Sequence, residues 1–132
     1  MADHYWATLN IGGRVTAEQL REIVRLAVQD GAEQMECPAG LRLLLPEQRG
    51  LEVIARPQQT VLAVTGEVNW GAFETLEAYL RWVRIPYDRE TEAAPGEPAI
   101  LVRFRPGRGA VIHPSDGKGN PVLTLEVLER GF

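Results

Sequence analysis

The chain has one cysteine, one serine, two histidines and one lysine among its 132 residues, and each scarcity excludes something. Cys37 alone cannot close an internal disulfide, which suits a reducing cytoplasm. Zinc takes about four protein ligands, or three at a catalytic site. His4 and His113 are accompanied by no CxxC, HxxxH or Asp run, so no metal site is expected. Ser115 stands in His113-Pro114-Ser115-Asp116, where neighbours in a turn make no triad, and no G-x-S-x-G elbow is present. Glu33 and Glu36 should raise the Cys37 thiol pKa and leave it inert. No run of about 20 apolar residues could span a bilayer, and MADHYWATLN lacks the basic-then-apolar order of a signal peptide. The expectation is a cytoplasmic, non-enzymatic chain with no cofactor, metal or membrane.

What is present is an ordinary globular composition, 45% hydrophobic and 24% charged, which argues against wholesale disorder and fits one domain over 1–132. Charge is unevenly placed. Residues 1–80 hold 6 Arg against 11 Asp and Glu, whereas 81–118 hold 7 Arg and Lys against 5 acidic residues. The overall charge of −4 is too mild for a DNA mimic and has the wrong sign for a general nucleic-acid binder.

The stretch Gly66–Arg89 organises the chain. Phe73, Leu76, Leu80 and Val83 share one face at helical spacing, so a helix is read over 70–84, with Trp82 on the opposite side. Glu77 precedes Arg81 by four residues, a favourable pair, and Pro86 stops the helix. Upstream, 5–11 alternate as a half-buried strand. Thr16 and Gln19 form a capping box on a helix that buries Leu20, Ile23, Val24 and Ala27 and ends at Gly31. Cys37-Pro38 and Gly40 mark 32–40 as a loop. Leu41–Leu45, Leu51–Arg56 and Thr60–Gly66 read as strands joined by hairpins. Ile85–Glu90 and Ala99–Arg105 are further strands, and Ala110–His113 pairs back on the latter. The tail reads as a strand at Val122–Thr124 and then a short helix, Leu125–Arg130. The predicted fold is α+β: a ferredoxin-like, split βαβ sandwich with two helices on one face of a mostly antiparallel sheet and added C-terminal strands.

Few residues point to a function. Ile11-Gly12-Gly13-Arg14 has the position of a phosphate-binding turn but not the G-x-G-x-x-G spacing. The carboxylate pair Glu74/Glu77 reads as a solvated helix face. Arg103, Arg105 and Arg108 form the best nucleic-acid candidate. If strand 85–90 lies beside them, Asp88 and Glu90 share their face and neutralise it by cross-strand pairing. An RNA-binding sheet face would need aromatics, and only Trp6 qualifies. Trp6, Trp70 and Trp82 fall largely off the apolar faces. With Tyr87 and Arg89, they predict a protein-binding or self-associating surface around helix 70–84 and strand 85–90. An unseen small-molecule pocket is the remaining alternative.

Gly71, Phe73, Leu76 and Glu77 at a helix start, Ile85-Pro86-Tyr87-Asp88-Arg89, and Leu101-Val102-Arg103-Phe104-Arg105-Pro106-Gly107 carry a resemblance. So does the turn Pro114-Ser115-Asp116-Gly117-Lys118-Gly119-Asn120-Pro121-Val122. Over 66–131 the chain resembles a group of small uncharacterised proteins borne by phages and plasmids. The resemblance implies an accessory gene of a mobile element, encoding a binder of a host or element protein, and brings no active site with it.

Overall fold

The computed structural model describes residues 4–45, 50–56, 61–93 and 99–114. The Ser115 turn and the tail strand and helix lie outside them. Among the described residues seven strands form one open sheet. They are β1 (His4–Ile11), β2 (Ala32–Cys37), β3 (Glu52–Ala55), β4 (Leu62–Asn69), β5 (Tyr87–Thr91), β6 (Ile100–Arg105) and β7 (Gly109–Pro114), in the order β3-β2-β4-β1-β5-β6-β7. All neighbours are antiparallel except β2 and β3. The helices are α1 (Ala17–Asp30), the short α2 (Ala39–Arg42) and α3 (Glu74–Trp82). The protein is α+β, with β4 lying between β1 and β2 and antiparallel to both.

Local chemistry explains the elements that match their sequence signals. The Thr16 hydroxyl accepts from Gln19 N at 3.1 Å and the Gln19 side chain accepts from Thr16 N at 3.0 Å. Two N–H groups left open at the helix start are thereby satisfied. Gly31 ends α1 in the left-handed region at φ 103° and hands the chain directly into β2.

That hand-over corrects the loop reading of 32–40. Met35 and Cys37 face the core while Gln34 and Glu36 face out, and a bulge between Ala32 and Gln34 turns Ala32 inward as well. Polar composition and the Cys37-Pro38 breaker hid this strand. Leu41–Leu45 is not a strand either: α2 and a turn occupy it, and Leu43 and Leu44 are exposed. Consequently β3 does not form a hairpin with β4. It pairs in parallel on β2, Gln34 opposite Glu52 through Cys37 opposite Ala55.

Helix α3 is also shorter than its periodicity, beginning at Glu74. Trp70 (φ 56°) and Gly71 (φ 69°) form a turn closed by Ala72 N donating to Asn69 O at 3.2 Å, and both positive φ values mark it as type I′. Arg84 (φ 62°) takes the left-handed position after the helix, with Ile85 N donating to Leu80 O at 2.9 Å. That 6→1 bond ends the helix before Pro86 is reached. The helix start is capped from elsewhere. Asp30, the last residue of α1, accepts from Leu76 N at 2.9 Å and from the Thr75 hydroxyl at 2.5 Å.

One core joins Leu20, Ile23, Val24 and Ala27 of α1 and Leu76 and Leu80 of α3 to Ala7, Leu9, Ile11, Met35, Val64, Tyr87 and Phe104 on the sheet. Strand register sets the two faces in rows. One core row runs Met35, Val64, Leu9, Arg89 and Val102, and ends on β7 at Ile112, which is exposed. The next row, on the other face, runs Glu36, Ala63, Asn10, Asp88, Arg103 and Val111.

Candidate functional site

The core row contains a charge. Arg89 is 8% exposed, and α3 supplies its counter-ion from above, Glu77, at 3%. Arg89 Nε donates to Glu77 Oε1 at 3.0 Å, and Nη1 donates to Gly71 O at 2.7 Å and to the Thr91 hydroxyl at 2.5 Å. Thr91 passes its own proton to Gly71 O at 2.6 Å. A Cβ on Gly71 would stand 2.2 Å from Thr91 Cγ2, so this close approach requires glycine. Beside the network, Arg81 donates to the Tyr87 hydroxyl at 2.7 Å. Burial, and then the Glu77 carboxylate, push that hydroxyl's pKa above 10.0 against the opposing pull of Arg81.

Three expectations are corrected here. Glu77 is not part of a solvated carboxylate face, and its partner is Arg89 rather than Arg81. Tyr87 (1% exposed, stacked at 5.5 Å from Phe104) and Arg89 lie inside the protein and cannot meet a partner's surface. Sequence spacing could not reveal a pairing that depends on α3 crossing β5.

The tryptophans are all at the surface: Trp82 84% exposed, Trp70 59% and Trp6 42%. They do not converge. Trp82 lies on the outer side of α3 with Thr75 and Ala78, which are also exposed. Trp70 occupies the turn before α3. Trp6 stands on the opposite, helix-free face of the sheet, level with Glu67, and its backbone N–H donates to the Glu92 carboxylate at 2.9 Å.

The arginines follow the neutralising alternative. Asp88 lies directly across from Arg103, and its Oδ1 accepts from Arg103 Nε at 3.3 Å and from Arg105 Nη1 at 2.9 Å. Arg108 is exposed on the turn between β6 and β7. A cleft of about 280 Å³ opens beside Arg105, at the end of the sheet where β1 leaves through Gly12. Asn10, Ile11, Val61, Pro86 and Asp88 line it too. Nothing in the sequence announced this cleft, since its walls come from four separate segments.

Chemical groups elsewhere are scarce. Among the described residues no three His, Cys, Asp or Glu side chains are grouped to hold a metal. Cys37 is fully buried, and burial raises its thiol pKa more than Arg42 lowers it. Glu33 and Glu36 are not the cause. Among the described residues no helix is long and apolar enough to cross a membrane.

Comparison with known proteins gives no match. No family model, curated protein or solved structure resembles the chain closely enough to assign a relative.

Proposed function

We propose that the protein is a non-enzymatic interaction module that binds a protein partner, either another protein or a second copy of itself, through the outer face of α3. The observation that carries this is the indole of Trp82, left 84% exposed on a helix whose other face is firmly packed. Thr75 and Ala78 precede it at helical spacing and leave a low surface beside a large, rigid anchor. Interface hot spots favour this kind of aromatic, which brings much contact area at little conformational cost.

Around that face we read a ferredoxin-like core, β1-α1-β2-β4-α3-β5. The strand order β2-β4-β1-β5 and the insertion of β4 between β1 and β2 support it, with β3, β6 and β7 as additions. A cytoplasmic setting suits the lone buried thiol. The resemblance over 66–131 suits an accessory protein of a phage or plasmid, whose partner belongs to the host or to the element.

The test is affinity capture from the cell that carries the gene, with wild type, Trp82→Ala and Arg108→Ala as baits. A partner held by wild type and Arg108→Ala but lost by Trp82→Ala supports the proposal. Equal retention by all three baits refutes it. Binding to nucleic acid that weakens steeply with salt would favour the arginine reading instead.

A further inference from the structure

The cleft beside Arg105 lies away from α3's outer face and from any docking there. The Arg105 guanidinium is fixed by one nitrogen. Nη1 donates to Phe104 O at 2.8 Å, Asp88 Oδ1 at 2.9 Å and Tyr87 O at 3.2 Å. The other edge, Nε and Nη2, has no acceptor among the described residues, and the side chain remains 43% exposed at the cleft. A guanidinium held along one side with its fork open is already oriented for a planar, two-oxygen anion.

The local charge agrees. Asp88 is shared by Arg103 and Arg105, so at the cleft one carboxylate meets two guanidinium groups, while Glu90 lies further along the same face. The next carboxylate across the sheet in this row, Glu36, is itself taken by Arg56 at 2.9 Å. Asn10 adds a neutral amide, while Val61 and Pro86 supply apolar wall. At about 280 Å³ the cleft lies just under the usual range of ligand pockets, roughly 300 to 1,000 Å³, which suits a small ligand.

We infer that this cleft binds a small organic monocarboxylate, its two oxygens on the free edge of Arg105 and its short apolar body along Val61 and Pro86. A phosphate monoester fits less well. Its second charge would lie near the Asp88 carboxylate, and the apolar walls could not solvate it.

Titration of the full-length protein with hexanoate, followed by backbone amide and arginine Nε NMR signals, tests this. Hexanoate should saturably shift Asn10, Gly12, Asp88 and Arg105. It should bind about tenfold tighter than acetate, because each buried methylene adds favourable transfer free energy. Arg105→Gln should weaken hexanoate about tenfold or more by removing the charged fork. Asn10→Asp should do likewise by placing a like charge in the cleft while leaving Arg105's anchors intact, and an unchanged spectrum elsewhere shows that the fold survives. Inorganic phosphate binding as tightly as hexanoate would reduce the site to a general anion spot and overturn the assignment. So would methyl hexanoate binding as tightly as the acid, or hexanoate binding unaffected by both substitutions.

Discussion

Replacing Arg89 by Met is the sharpest test of how α3 is held on the sheet. Methionine keeps most of the apolar stem and removes the guanidinium. Glu77, 5% exposed at its side chain, then loses its 3.0 Å partner, the Thr91 hydroxyl loses its donor, and Gly71 O keeps only the Thr91 hydroxyl. Removing one member of a buried pair costs about 3–5 kcal/mol, mostly from the stranded charge. A small domain has only about 5–15 kcal/mol in total, so Arg89→Met should unfold at markedly lower urea and lose roughly 10–20 °C in Tm, at about 3–5 °C per kcal/mol for a chain of this size. Glu77→Leu should behave similarly, because it leaves Arg89 buried without its counter-ion. The double variant Arg89→Met/Glu77→Leu removes both charges and should recover to within about 1–2 kcal/mol of wild type. Urea unfolding of all four proteins gives the coupling energy directly. Single variants each costing less than about 1 kcal/mol, with costs that simply add in the double, would refute the claim that the pair is buried and mutually dependent.

Other substitutions probe neighbouring joints. Asp30→Ala removes the acceptor for Leu76 N and the Thr75 hydroxyl and should cost about 1–2 kcal/mol in chemical unfolding, as losing an N-cap does; an unchanged midpoint would show that α3 needs no outside cap. Gly71→Ala should cost about 2–4 kcal/mol, combining its positive φ with overpacking against Thr91, and Thr91→Ser in the same chain should return part of it by removing the Cγ2 methyl. Tyr87 gives a pH signature. Its folded pKa is raised above the unfolded value near 10, so its contribution to stability is complete below pH 10 and is lost as pH rises through the folded value. Alkaline unfolding curves should therefore be less steep for Tyr87→Phe than for wild type, and identical curves would contradict the assignment.

Sequence reading succeeded where the signal is local. The Thr16–Gln19 box, the Gly31 cap, the apolar stripe of α3 and the alternation of β1 each involve residues within a turn or two of one another. The cross-strand pairing expected of Asp88 and Glu90 with Arg103 and Arg105 is seen at Asp88, because facing strands convert spacing into contact. Failures came where a distant element overrode local preference. Ala32–Cys37 contains no β-branched residue, yet β4 and β3 on either side make it a strand. Leu41–Leu45 is apolar enough for a strand but has no partner at hand, and coils into α2. Arg89 read as a surface charge because its counter-ion, Glu77, is twelve residues away on another element. The cleft beside Arg105 was invisible for the same reason.

The buried ion pair also governs what lies outside. A helix seated on apolar contacts alone can roll by part of a turn at little cost, since one methyl group substitutes for another. Rolling α3 would strand Glu77 and Arg89 in a medium that tolerates neither alone. Trp82 follows Glu77 by five residues, which places it roughly 140° around the axis from the salt bridge. The compass bearing of the indole is therefore set from within, so that whatever docks on α3 meets an aromatic plate aimed in advance.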